Sequence, residues 1–104
     1  MAQFDVFVNP IAATHRSYPF VVALQSDFAQ RARDQIVAPL VPLRLIPKVI
    51  SRLTPIVDLE GSEHMVLVPA LTGVNSRDLM KRHGSLAAAR SELLAAIDYL
   101  FFGV

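Results

Sequence analysis

At 104 residues, the chain is long enough for one domain with a modest core and too short for two. Its 53% apolar residues exceed the usual share of about 45–50%, and its 18% charged residues fall below the usual share of about 25%. This apolar surplus predicts self-association, most simply as a two-fold homodimer. A net charge of +1 argues against direct nucleic-acid binding by the isolated chain, and the lack of cysteine excludes disulfides, a thiol nucleophile and zinc–cysteine sites.

Charge-free stretches such as residues 17–26 and 35–43 are too short to cross a membrane, because a spanning helix needs about 20 consecutive apolar residues. The first residues have neither the basic start nor the apolar stretch of a secretory signal. We therefore expect a cytoplasmic protein.

The first predicted elements are two strands. Residues 3–8 alternate, with Phe4, Val6 and Val8 on one face and Asp5 and Phe7 on the other, and Asn9-Pro10 ends the pattern. After a polar loop, residues 18–25 are rich in β-branched and aromatic side chains and too few for a typical helix. This second run predicts a buried strand.

Further strands follow a charged loop expected over residues 28–34. Residues 36–43 predict a strand whose prolines cannot donate ladder hydrogen bonds, which favours a sheet edge or a bend. Residues 53–59 and 64–71 flank the polar sequence Glu60-Gly61-Ser62-Glu63 and predict a hairpin. A short strand is expected near Thr72-Gly73-Val74.

From Ser85 onward the apolar period becomes helical. The residues on one face of this helix are Leu86, Leu93, Leu94, Ile97, Leu100 and Phe101. Gly84-Ser85 supplies an N-cap type and Gly103 suits the C-terminal end. Phe101 is predicted to pack in the core, whereas Phe102 lies about 100° further round the helix and off that face.

The expected architecture is a single domain over residues 1–104, mainly β with one C-terminal α-helix. Short strands broken by proline and glycine suggest a small, partly open antiparallel barrel or a pair of sheets.

The sequence contains no recognisable catalytic, cofactor-binding or metal-binding motif, so we expect no enzyme activity, no cofactor and no metal site. The three histidines lie in separate segments without zinc-ligand spacing, and we interpret each as a solvated loop or strand residue: His15, His64 and His83. The four glycines are too dispersed for a phosphate-binding loop. The scattered basic residues are interpreted as a solvated surface rather than a substrate clamp: Arg31, Arg33, Lys48, Arg52, Lys81 and Arg82.

The most informative feature is the apolar ending Tyr99-Leu100-Phe101-Phe102-Gly103-Val104. Chain termini are usually polar and frayed. This ending must therefore either pack into the body of the protein or be offered to a partner.

Over essentially its whole length the chain resembles the CcdB family, toxins of bacterial toxin–antitoxin pairs that poison DNA gyrase. The order and spacing of several short segments carry the resemblance: Gln3-Phe4, Phe20-Val21, Gln25-Ser26-Asp27, Val37 with Pro39-Leu40, Pro55-Ile56-Val57 and Phe102-Gly103-Val104. The resemblance implies an SH3-like barrel with a small extra sheet and a C-terminal helix, and a homodimer formed through the helix side. Leu100 and Phe101 are then the expected dimer-packing residues.

The resemblance also implies a binding site. The family's tryptophan-glycine-isoleucine tail corresponds to Phe102, Gly103 and Val104, and the paired aromatics of a dimer enclose an arginine of the gyrase A subunit. Phenylalanine makes this cation–π contact less well than tryptophan. The other positions implied to face gyrase are Gln3, Phe4, Phe7, Ser26, Phe28 and Tyr99.

The implied function is therefore binding without catalysis, with gyrase trapped on cleaved DNA. A CcdA-like antitoxin would neutralise the toxin through a segment that folds on binding. Operator DNA would be bound only through the toxin–antitoxin complex, which would repress the operon. Two alternatives remain open: a ribonuclease toxin on a related barrel, with His15 and Arg16 as its only adjacent candidates, and a non-toxic relative that keeps antitoxin binding.

Overall fold

The computed structural model describes residues 2–26, 33–45 and 51–103. Within these residues the chain forms seven strands and one α-helix. The elements are β1 Asp5–Val8, β2 Phe20–Ala23, β3 Asp34–Pro42, β4 Ile56–Leu59, β5 Ser62–Val66, β6 Thr72–Asn75, β7 Arg82–Ser85 and α1 Arg90–Phe102. This confirms the prediction of a mainly β protein with one C-terminal helix.

All the strand pairings are antiparallel and belong to one curled sheet. The sheet order is β4-β5-β3-β2-β1-β7, and β6 branches from β3. The sheet forms a half-barrel with α1 as its single helix. The expected partly open barrel is therefore confirmed.

The first two strands place apolar side chains on both faces of the sheet. Val6 and Val22 belong to the main core, together with the buried helix residues Leu93 and Ala96. Their strand neighbours Phe7 and Val21 lie in a second, smaller cluster. Because successive strand residues point to opposite faces, β1 and β2 bury apolar side chains on both sides of the sheet, and Asp5 of β1 is buried as well.

Of the two positions predicted for the proline-containing strand, a sheet edge or a bend, the sheet edge is wrong. β3 is central, since it pairs with β2 on one side and with β6 and then β5 on the other. The carbonyl oxygen of Pro39 accepts a hydrogen bond from the Leu67 N–H at 2.9 Å, on the side away from β2. Pro39 has no N–H to donate, and it lies where β3 changes partner from β6 to β5. No regular hydrogen bond of the sheet is therefore lost.

The predicted hairpin is confirmed as β4 and β5, joined by a tighter turn than expected. Only Glu60 and Gly61 form the turn, with φ of 53° and 83°. Two consecutive residues of positive φ are typical of a type I′ turn, whose twist matches that of the flanking strands. Ser62 and Glu63 already belong to β5. The short strand expected at Thr72 is confirmed as β6.

The predicted start of the helix at Ser85 is wrong, because residues 82–85 form β7. Ser85 pairs with Asp5 of β1, and its Oγ accepts the Ala87 N–H in the short 3-10 turn that follows. The helix α1 begins only at Arg90. No helix of the described residues is long and apolar enough to cross a membrane.

A candidate protein-binding site at the end of the helix

The last turn of α1 exposes two adjacent aromatic side chains. Phe102 is 74% exposed and Phe101 is 61% exposed. At about 100° per residue, Phe102 points about 180° from the fully buried Leu93, and Phe101 about 80° from it. Phe102 is therefore off the core face, as predicted, whereas the prediction of Phe101 in the core of the single chain is wrong. Leu100, about 20° from Leu93, packs against the core.

Gly103 ends the helix in the predicted way. Its φ of 73° is left-handed, and its N–H donates to the carbonyl oxygen of Tyr99 at 3.0 Å. Glycine adopts this conformation without the steric cost that a Cβ brings. An added Cβ at Gly103 would meet no atom within 4 Å, so the backbone on this side is open to close approach.

An apolar groove of about 300 Å³ runs beside the exposed aromatics. Its lining residues are Leu24, Gln25, Ile36, Leu71, Ile97 and Phe101. Gln25 is held in place because its Oε1 accepts the Ile36 N–H at 2.7 Å. The groove thus joins the segment after β2 to the last turns of α1, and the exposed Ser26 follows Gln25 directly.

A polar bridge ties the start of the chain to the same region. The Nε2 of Gln3 donates to the carbonyl oxygen of Leu24 at 3.0 Å, and its Oε1 accepts from Nη1 of Arg90 at 2.9 Å. The Arg90 guanidinium also lies 6.0 Å from the ring centroid of Phe4. Gln3 is therefore held between the end of β2 and the start of α1.

Phe4 supports this bridge from inside the fold. Its side chain is 1% exposed, and its φ of 68° is unusual for a bulky residue. Two backbone hydrogen bonds hold the conformation, from its own N–H to Ala23 and from the Leu86 N–H to its carbonyl. Phe4 therefore positions Gln3 and does not itself reach the surface.

The remaining predicted site residues are divided between surface, core and the undescribed segments. Ser26 is exposed and Tyr99 is half-buried, so both are accessible. Phe7 is buried in the second cluster and cannot touch a partner in this conformation. Phe28 and Val104 lie outside the described residues.

Tyr99 carries a contact that the sequence analysis did not anticipate. The guanidinium carbon of Arg52 lies 4.4 Å from the centroid of its ring. The two residues are distant in the chain, and no sequence pattern links them. The same holds for the bridge between Gln3 and Arg90.

The histidines do not assemble a reactive centre within the described residues. His15 is exposed, and its Nδ1 lies 2.9 Å from the carbonyl oxygen of Asn9. The expectation of a solvated His64 is wrong, because its ring packs edge-on against Phe20 and its Nδ1 lies 3.0 Å from the Ser62 carbonyl oxygen. His83 stacks on the same Phe20 ring and pairs with Glu60. Across residues 2–26, 33–45 and 51–103, no group of three potential metal ligands occurs.

Comparison with protein families identifies the chain at the family level. A sequence model described as CcdB protein matches residues 3–103. No curated protein matches the chain. The family match extends from Gln3, through the whole sheet, to the Gly103 cap. Because it covers nearly every residue, the chain belongs to the CcdB family, the toxins of toxin–antitoxin pairs.

Proposed function

We propose that this protein is a homodimeric toxin that binds the A subunit of DNA gyrase and traps the enzyme with its DNA cleaved. The observation that carries the proposal is the exposure of Phe102 on the helix face opposite the core, directly before the Gly103 cap. The proposed toxin acts by binding gyrase and uses no catalytic group of its own.

The chemistry of the exposed end suits a cationic partner side chain. An aromatic ring face attracts a guanidinium within about 6 Å, and arginine is the commoner partner in such pairs. Phe102 offers this face, and Gly103 lets the partner backbone approach. Val104 adds an apolar residue to the same segment. These three residues form the centre of the proposed gyrase-binding site.

The surrounding residues extend the site along one surface of the molecule. Gln3 donates a hydrogen bond to the carbonyl oxygen of Leu24, which lines the groove with Phe101. The exposed Ser26 follows the lining residue Gln25. In the proposed homodimer, Leu100 and Phe101 pack near the two-fold axis, so that two copies of Phe102 enclose one target arginine. A two-fold arrangement presents the same patch twice and removes the exposed Phe101 from water.

The same dimer is proposed to be neutralised by a CcdA-like antitoxin whose segment folds on binding and displaces gyrase. Such coupled folding lets a flexible segment cover a large surface. The complex represses its operon through the DNA-binding part of the antitoxin, in keeping with the net charge of only +1 on the toxin.

A plasmid cleavage assay tests the proposal. Gyrase, ATP and supercoiled plasmid are incubated with micromolar protein, and the reaction is stopped with detergent and protease. We expect linear DNA to accumulate with the protein and to return to background when a cognate antitoxin is added. Linear product no higher than in gyrase alone would exclude poisoning.

A further inference from the structure

We infer that Arg52 is a positioning residue of the site at the end of α1, which orients Phe102 by holding Tyr99. The inference rests on the proposed function for its effect on gyrase binding. Its local part stands on the geometry around Tyr99 alone.

The first observation is the stacked contact itself. The Arg52 guanidinium carbon lies 4.4 Å from the Tyr99 ring centroid, well inside the range of about 6 Å for a cation–π interaction. Arg52 is an exposed residue and Tyr99 is half-buried. The contact therefore joins the segment before β4 to the last turn of α1.

The second observation links Tyr99 to Phe102. Residues three apart on a helix are surface neighbours, so Tyr99 lies beside Phe102. Leu100 anchors the same turn to the core on the other side. With both anchors in place, the turn that ends at Gly103 has less freedom to fray, and Phe102 is presented in a restricted set of orientations. Preorganisation of this kind raises affinity by lowering the entropy lost on binding.

The experiment compares Arg52→Gln and Arg52→Lys with the control Arg77→Gln, which changes an exposed arginine in the turn between β6 and β7. The chain has two tyrosines and no tryptophan, so 3-fluorotyrosine labelling gives two fluorine resonances, assigned with Tyr18→Phe. We expect Arg52→Gln to shift the Tyr99 resonance and the backbone amide resonances of Phe102 and Gly103. Arg77→Gln should leave all three unchanged.

Binding to a purified gyrase A fragment is measured by calorimetry on the same proteins. The energy of an exposed cation–π contact corresponds to about a two- to fivefold change in an equilibrium constant. Because the contact already exists in the free protein, this is the upper limit of its effect on binding, and we expect about a twofold loss of affinity for Arg52→Gln and a smaller loss for Arg52→Lys. In a Tyr99→Leu background, Arg52→Gln should have no further effect on affinity. The urea midpoint of Arg52→Gln should lie only slightly below that of Arg77→Gln, because Arg52→Gln removes one exposed cation–π contact and leaves the core unchanged.

The outcomes separate the two proposals. An unmoved Tyr99 resonance in Arg52→Gln, or an affinity equal to that of Arg77→Gln, would overturn the role of Arg52. If the wild-type protein fails to bind the fragment, the gyrase proposal fails. The resonances of Tyr99, Phe102 and Gly103 then decide by themselves whether Arg52 positions this turn.

Discussion

Phe102 shows how a single side chain can be assigned from helical geometry and family pattern together. Its direction away from Leu93 follows from the 3.6-residue period, and the sequence analysis therefore separated it correctly from the core. The same reasoning failed for Phe101, because at the edge of the apolar stripe the shape of the neighbouring sheet decides burial. The contacts of Arg52 with Tyr99 and of Arg90 with Gln3 were unpredictable, since they join residues far apart in the chain.

We expect Phe102→Ala to weaken binding to a gyrase A fragment by about 30-fold, or about 2 kcal/mol. A loss of this size is typical when an aromatic side chain at the centre of an interface is truncated. Phe102→Trp should bind more tightly than wild type, because indole is the better cation–π partner. Isothermal calorimetry measures both. Met80→Ala, which truncates another exposed apolar side chain, is the matched control and should bind as tightly as the wild type. Equal losses of affinity in Phe102→Ala and Met80→Ala would contradict the assignment of Phe102 to the binding site.

The secondary-structure elements were predictable where side chains pack and hard to predict where backbone pairing decides. β1 and β2 follow from alternating or β-branched residues. β7 has the sequence Arg-His-Gly-Ser, which contains no β-branched or large apolar residue, and it is a strand because it pairs with β1. The prediction of β3 at a sheet edge failed for a related reason. A proline weakens a sheet only where its missing N–H would have faced a neighbouring strand, and this is known only once the sheet order is known.

The helix is held to the sheet mainly by its buried stripe, so Leu93→Ala should destabilise the protein strongly. Leu93 is fully buried in the main core, and truncations of this kind cost about 2–5 kcal/mol because a cavity remains. Leu45→Ala, which truncates an exposed leucine, should change the free energy of unfolding by less than about 0.5 kcal/mol. Urea denaturation followed by circular dichroism compares the two variants. Similar losses in the free energy of unfolding would show that α1 does not depend on the burial of Leu93.

For the whole molecule, composition predicts self-association, and the structure shows an exposed apolar surface at one end of α1. Phe101 and Phe102 are both exposed at one end of α1, beside an apolar groove. The class of fold could be predicted from strand and helix periods. The sheet order could not, because it depends on pairings between residues distant in sequence, such as β1 with β7.

We expect Phe101→Glu to convert the proposed dimer to a folded monomer. The side chain is exposed in the single chain, so the substitution leaves the core intact, whereas a carboxylate buried at a two-fold interface faces its own copy and is repelled. Sedimentation at micromolar concentration distinguishes the states, with Met80→Glu as the control. A Phe101→Glu protein that sediments as the wild type does would place the dimer interface elsewhere.

The most direct test of the central claim is deletion of Phe102, Gly103 and Val104 in a gyrase-sensitive host. We expect cells that express the shortened protein to grow normally, while the purified protein keeps the wild-type circular dichroism spectrum and oligomeric state. Growth arrest as strong as that caused by the full chain, from a protein lacking these three residues, would contradict the assignment of the site.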